Sequence, residues 1–314
     1  MKADNITELS AENIRLVMRQ KRPMSTIQGM AIYEDEIFQL YHTGWCGIFS
    51  LKEKNEQPLA LFPLGSANSG EPDKNYTNHS NQCMFSSIHK AGNPLPLLYV
   101  TGGYGTGGDE NGYFYRCMVE NIELERDEKG KVTGGKSSLL QAISYKDGPL
   151  EGSNWIQPCW GCPAWFVDSE NGFLYMFSCV YRTTEAFFQY NEQNRYIITK
   201  FRMPDPFGKR FVLLSASDIL DQFVCPYDIP FTQGGMIYGD KLYYTFGCGR
   251  EKYPNGLRIF DLKEKRLCAK MDLSKGIFAD EEIESCSYYK GELLVNTNTE
   301  HGGYYTLGRI LEQI

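Results

Sequence analysis

Five short segments of this chain of 314 residues share one pattern: a polar or small residue, an apolar run, then a charged or glycine-containing turn into a second strand-like run. The segments begin at Gln28, Gln82, Cys162, Gln233 and Glu284. The clearest copies are residues 28–38 (QGMAIYEDEIF) and 233–243 (QGGMIYGDKLY). Successive copies start 54, 80, 71 and 51 residues apart. That period is too long for ankyrin or leucine-rich repeats and fits four-stranded propeller blades carrying loop insertions. Aromatic residues make up 14% of the chain, with 21 Tyr and 18 Phe, which suits pleated, half-buried strands. The pattern predicts an all-β chain, a five-bladed β-propeller forming one domain over residues 1–314, with blades opening near 28, 82, 162, 233 and 284.

Third strands are expected over 47–52, 113–120, 196–201, 257–262 and 304–311, and fourth strands over 58–64, 138–145, 211–216 and 267–273. Alternation is cleanest in Leu257-Arg258-Ile259-Phe260-Asp261-Leu262. The fifth blade then lacks a fourth strand. Residues 13–19 (NIRLVMR) alternate polar and apolar side chains, so the N-terminus is expected to close the ring and remove an exposed sheet edge. A short amphipathic helix starting after Ser10 is the alternative.

Net charge is −7 and the basic residues are scattered. Nucleic-acid binding rests on phosphate neutralisation, so nucleic acid is not an expected partner. No apolar run approaches the roughly 20 residues that span a bilayer, so no membrane association is expected. Residues 1–23 lack the apolar core of a secretion signal. The chain is therefore expected in the cytoplasm, with its ten cysteines reduced and its sequons at Asn5, Asn75 and Asn78 unused.

In a propeller the first strand of each blade lines the channel. Links from second to third strand, and from fourth strand to the next first strand, share one face. On the opposite face the turns are tight and charged, such as Glu34-Asp35-Glu36, Gly239-Asp240-Lys241 and Lys290-Gly291-Glu292. The first face holds the long loops 65–80, 102–112, 147–161, 180–195, 222–232, 246–256 and 297–303, and binding concentrates on such loops. These loops contain His79, Tyr104, Trp155, Trp160, Arg182, Glu185, Asp228, Arg250, Glu251, Glu300 and His301. The ring beneath them is expected to be Gln28, Gln82, Cys162, Gln233 and Glu284, a polar throat able to donate and accept hydrogen bonds. The same groups can instead bond one another and ordered water. Glu284 is the one carboxylate of the ring and His79 the histidine nearest the throat, so these two are the acid–base candidates. The candidate ligand contacts are Gln28, Gln82, Trp160, Cys162, Gln233, Tyr104, Arg182, Arg250 and His301.

Three motifs carry less than their form promises. Cys159-Trp160-Gly161-Cys162 is a CxxC with no helix after it for redox use and no second pair for zinc. Gly103-Tyr104-Gly105-Thr106-Gly107-Gly108 satisfies GxGxxG, but a strand-like run follows where a dinucleotide site needs a helix. Asp168-Ser169-Glu170-Asn171-Gly172 opens like a calcium loop and lacks the distant Glu. No metal or cofactor is expected.

Phe231-Thr232-Gln233-Gly234-Gly235 followed by Gly239-Asp240-Lys241-Leu242-Tyr243 resembles the FTQG…GD.LY phrase of plant-type glutaminyl cyclotransferases. Those are five-bladed propellers that cyclise N-terminal glutamine. The phrase covers about a dozen residues and recurs at 28–38, so it marks a blade. Five-bladed glycoside hydrolases of the arabinanase and invertase type are a second comparison, with Asp or Glu on several first strands. This chain has Gln at three of those positions, so hydrolysis by two carboxylates would need Glu284 plus a loop acid such as Asp228 or Glu185. The expected function is recognition of a small polar ligand, carbohydrate by class, because flat rings suit sugar faces and amides suit hydroxyls. Two alternatives stay open: a glycan hydrolase, lyase or acyl cyclotransferase using Glu284 and His79, and a protein-interaction scaffold. The oligomeric state is not predicted.

Overall fold

The computed structural model describes residues 6–10, 13–21, 26–67, 79–80, 82–102, 114–145, 155–156, 159–179, 195–225, 232–298 and 302–314. Two N-terminal strands, β1 (Thr7–Glu8) and β2 (Arg15–Arg19), precede the first repeat. Blade 1 is β3 (Ile27–Tyr33), β4 (Glu36–Tyr41), β5 (Trp45–Ser50) and β6 (Ala60–Pro63). Blade 2 runs through β7 (Gln82–His89), β8 (Pro96–Thr101), β9 (Phe114–Arg126) and β10 (Val132–Tyr145). In blade 3, β11 (Cys159–Asp168), β12 (Phe173–Cys179) and β13 (Tyr196–Arg202) are followed by β14 (Phe211–Leu214) and β15 (Ile219–Val224). Blade 4 is β16 (Thr232–Tyr238), β17 (Lys241–Phe246), β18 (Gly256–Asp261) and β19 (Arg266–Asp272). Blade 5 is β20 (Ile283–Tyr289), β21 (Glu292–Thr297) and β22 (Gly303–Thr306). The chain is a five-bladed β-propeller, with β3, β7, β11, β16 and β20 innermost and touching one another around the axis.

The N-terminus closes the ring as a strand, not a helix. β2 pairs antiparallel with β22, setting Arg15 against Thr306 and Arg19 against Gly303. Its alternation buries Met18 among Met30, Ile37, Phe49, Leu294 and Tyr304, at the seam of blades 5 and 1. β1 adds a fifth, parallel strand to blade 4 against β19.

One strand goes to a different blade from the one expected. Residues 211–216 were expected to supply the fourth strand of blade 3. Instead β14 pairs parallel with β10 as the fifth strand of blade 2, and β15 takes the fourth position of blade 3. The side chain of Gln141, buried in β10, explains the transfer. Its Nε2 donates to the carbonyls of Asp205 and Lys209, both at 2.8 Å. That anchors the 203–210 link on blade 2 and delivers Phe211 to the β10 edge. Leu214 and Val212 then pack into the core between blades 2 and 3.

The two faces separate as the repeat predicts. On one, His42 N–H donates to Thr26 O, His79 N–H to His42 O, Leu64 N–H to Gly44 O, and Asn298 N–H to Glu282 O. Each of these bonds joins a second-to-third link to a fourth-to-first link. On the other face Leu51 N–H donates to Asp35 O and Leu262 N–H to Asp240 O, which stitches the tight charged turns together. No helix among the described residues is long and apolar enough to cross a membrane.

Candidate functional site

First strands have no strand neighbour on the channel side, so their backbone groups there need other partners. Side chains of the same blade or of a neighbouring one supply them. Trp165 N–H donates to Thr101 Oγ1 at 2.9 Å, Ile32 N–H to Ser287 Oγ at 3.2 Å, and Thr245 Oγ1 donates to Gly234 O at 2.7 Å. Asn296 Nδ2 bridges Gln28 O at 2.7 Å and Gln39 Oε1 at 3.0 Å, while Gln39 Nε2 reaches Gln28 O, Gly29 O and Leu40 O. The second strands thus carry a buried polar layer directly outside the throat.

At the throat itself the ladder slips. The register shifts between Ile27 and Met30 in β3, between Thr232 and Gly235 in β16, between Ile283 and Ser285 in β20, and between Cys159 and Ala164 in β11. A bulge re-aims the extra residue away from the regular pleat. Gln28, Gln233 and Glu284 all stand inside these slips. Gln28, Gln82, Gln233 and Glu284 are buried, with at most 4% exposure, so they form a closed floor to the throat and not the wall of an open pore. Gln82 accounts for much of this: its Oε1 accepts Gly235 N–H at 2.6 Å, which ties blade 2 to blade 4 across the axis. Blade 1 closes in equally. Gly29 N–H donates to Ser80 O at 2.9 Å, and a Cβ at Gly29 would lie 2.9 Å from that oxygen and 3.1 Å from Gln82 N.

Two floor atoms are buried with no hydrogen-bond partner among the described residues: Gln28 Oε1, an acceptor, and Gln82 Nε2, a donor. Gln28 Nε2 is used locally, on Ile27 O at 2.9 Å. Gln233 is engaged at the rim, donating from Nε2 to Gly247 O at 2.9 Å and to Glu282 Oε1 at 3.2 Å. Ile27 N–H in turn donates to Asn298 Oδ1 at 3.3 Å, and Asn298 Nδ2 reaches Glu282 Oε2 at 3.4 Å. Glu282 and Asn298 therefore join blades 4, 5 and 1 at the rim.

Cys248 sits beside this network. Burial first, and then the Glu282 carboxylate, push its thiol up against the pull of Arg250, and Glu284 adds a smaller push. A thiol held protonated is a poor nucleophile. Arg250 is exposed in the same loop, whose shape is fixed by Asn255: Oδ1 accepts Gly249 N–H at 3.1 Å, and Nδ2 donates to Phe278 O and Glu281 O.

His79 meets His42 on the opposite side of blade 1 from Glu284. The rings stand edge to face with centroids 4.8 Å apart. The His79 backbone is left-handed, with φ +58°. Burial, and then the neighbouring His42, bring the His79 pKa down from 6.5 to about 4, so its imidazole is neutral at pH 7. A histidine neutral in the fold but protonated at its ordinary pKa when unfolded stabilises fully above pH 6.5. That contribution shrinks as pH falls toward 4, by about 3 kcal/mol in all. His79→Asn keeps a residue that tolerates the left-handed backbone. Thermal denaturation of this variant should show a smaller fall in Tm between pH 6.5 and 4 than wild type; parallel curves would refute the assignment.

The lead-in to His79 is held by a buried carboxylate. Glu120 in β9 accepts Gly65 N–H at 3.0 Å, Ser66 N–H at 2.9 Å and Ser137 Oγ–H at 2.7 Å. This clamp presses the turn onto β10, where a Cβ at Gly65 would fall 2.2 Å from Leu139 N.

Of the residues expected at the site, Gln28, Gln82, Gln233 and Glu284 lie together in the floor, His79 and Arg250 at the rim. Trp160 and Cys162 belong to β11, but their side chains lie outside the described residues, as do Tyr104, Arg182, His301, Glu185, Asp228 and Glu300 altogether. Sequence reasoning left His42 aside and did not single out Glu282, Cys248 or Asn298 as rim groups. A signal for His42 existed, because it occupies a second-to-third link on the same face as the loop carrying His79.

No protein-family model matches the sequence, and no curated protein matches it. Among solved structures, the fold is similar to the tail fiber of Staphylococcus aureus phage P68, with TM-score 0.50 and 11% identity. That likeness covers 94% of this chain and 52% of the tail fiber chain, so this chain spans about half of it. Myxococcus xanthus glutaminyl cyclase is also similar, with TM-score 0.47 and 10% identity, over 93% of this chain and 94% of that one. At such identities the likeness is one of fold.

Proposed function

We propose that the loop-rich end of the channel binds a small polar ligand, carbohydrate by class, seated above the floor of Gln28, Gln82, Gln233 and Glu284. The observation that carries this reading is the pair of buried amide atoms with open hydrogen-bonding capacity, Gln28 Oε1 and Gln82 Nε2. Leaving such atoms unsatisfied costs about 1–3 kcal/mol each; both are fully covered in the free chain, so the ligand hydroxyl that satisfies one, as donor to the first or acceptor from the second, meets it as the side chain turns up from the floor. The seven cysteines free among the described residues support placing this binding in a reducing, cytoplasmic setting.

A glycan array on the full chain, followed by calorimetry on the best binder, tests the reading. Binding is expected in the wild type, and Gln28→Leu should weaken it about ten-fold, the worth of one lost hydrogen bond to a buried acceptor. An array without binders overturns the proposal.

A second reading, acid–base chemistry on the same ligand, draws support from the Glu284 carboxylate in the floor; His79, lowered to about 4, is neutral at the rim and only a weak base. A glycosidase, lyase and cyclotransferase panel on wild type and Glu284→Gln separates the two. Binding in both proteins without turnover supports recognition alone, and turnover lost in the variant establishes the enzyme.

A further inference from the structure

Residues 207–224 hold five of the nine exposed large apolar side chains among the described residues: Phe207, Phe211, Leu213, Leu220 and Val224. They lie on the outer edge strands of blades 2 and 3 and in the turn before them, and Val224 leads into the 222–232 loop. Exposed apolar area concentrated in this way marks an interaction surface.

β14 is the centre of this surface. It is the outermost strand of blade 2, bonded on one side only. In its parallel ladder Ala142 pairs with Phe211 and donates to Arg210 O at 2.8 Å. That phase turns the N–H and C=O of Val212 toward β10 and those of Phe211 and Leu213 outward. Open edges are ordinarily guarded by a Lys, a Pro or a bulge. The sequence Phe211-Val212-Leu213-Leu214 has none, and its register is unbroken. Phe211 is 57% exposed and Leu213 41%, whereas Leu214 is buried.

We infer that this edge pairs with the same edge of a second copy of the chain, antiparallel about a two-fold axis through Val212. In this register the outward backbone groups of Phe211 meet those of Leu213 of the partner subunit, and the reciprocal pair forms across the axis. The same pairing stacks Phe211 on Leu213 of the partner subunit as an apolar cross-strand pair. Charge complementarity selects the second copy over an unrelated strand. Lys209, exposed just before the strand, falls opposite Ser215 of the partner subunit. At Ser215 the Asp218 carboxylate is folded back onto the chain: Oδ2 accepts Ser215 N–H at 2.7 Å and Ser215 Oγ–H at 2.9 Å. Asp218 Oδ1 faces no described donor and is open to Lys209 of the partner subunit. The ion pair forms twice by symmetry. The result is one sheet running through two propellers.

Sedimentation velocity over a concentration series of the full chain tests this. Wild type is expected to be a dimer, and Leu213→Lys, which alters an exposed side chain, a monomer with unchanged circular dichroism and Tm. Lys209→Glu should raise the dimer Kd about ten-fold at low salt, with the difference shrinking at high salt, as for exposed ion pairs. Val212→Cys places two thiols across the axis at a non-hydrogen-bonded pair, close enough for a disulfide. On oxidation it should give a reducible covalent dimer that wild type does not. A wild type monomeric throughout the series, a dimer untouched by Leu213→Lys and Lys209→Glu, or no cross-link from Val212→Cys would each overturn the pairing as drawn.

Discussion

Removing residues 1–20 is expected to abolish the cooperative fold or lower Tm by at least about 10 °C, a loss of about 5 kcal/mol or more. The segment is short, but it performs three tasks. β2 completes blade 5, so its loss bares the outer edge of β22. Met18 packs in the seam cluster of blades 5 and 1 with Phe49 and Tyr304, and Leu9 sits in the core cluster of blades 4 and 5. Gln20 Oε1 accepts the hydroxyl of buried Tyr304 at 3.1 Å, so that hydroxyl would lose its acceptor. Each large apolar side chain is worth roughly 2 kcal/mol in burial alone, and whole-domain stabilities are about 5–15 kcal/mol. A ring also loses more than one edge when it opens, because each blade supports the next. An unchanged melting temperature in differential scanning calorimetry would show that the ring holds without this closure.

Gly235→Ala is expected to be nearly as damaging, at about 3 kcal/mol or more. The backbone there is one any residue can adopt, so the reason is space. A Cβ would stand 2.0 Å from Tyr243 O and 3.0 Å from the carbonyl carbon behind it. Relief requires β16 to move off β17, which also pulls Gly235 N–H from Gln82 Oε1 and loosens the throat floor. Gly239→Ala is the matched comparison. Gly239 has φ +59° and nothing within 4 Å of its missing Cβ, so only backbone strain of about 1 kcal/mol applies. Chemical denaturation of the two variants should rank them in that order. Equal losses would mean that the strand pair has room that the contacts deny it.

Much of the throat was legible because it repeats. Gln28, Gln233 and Glu284 hold the same place in three copies of one hairpin, and a shared place in a repeat is a shared place around an axis. The alternation of residues 15–19 likewise announced a strand in search of a sheet. The crossing of the axis by Gln82 was not legible. Nothing in residues 82–89 indicates that an amide oxygen will meet Gly235 N–H, since that contact depends on how far the blades close together. The pairing of His42 with His79 was hidden for a similar reason: each lies in a different link, and only the stacking of blade 1 on blade 2 brings them together.

By itself the sequence determined the number of blades, the closing strand and the division into a loop-rich and a charged-turn face. These follow from hairpin periodicity, which acts between residues near one another in the chain. The tertiary structure alone decided which sheet each outer strand joined. β14 reads as part of blade 3 by order along the chain, yet Gln141 captures the preceding link and hands the strand to blade 2. Strand alternation specifies which side chains go inward, but an open sheet edge accepts any strand whose apolar face fits. Its partner is therefore chosen by long-range anchors that no local pattern encodes.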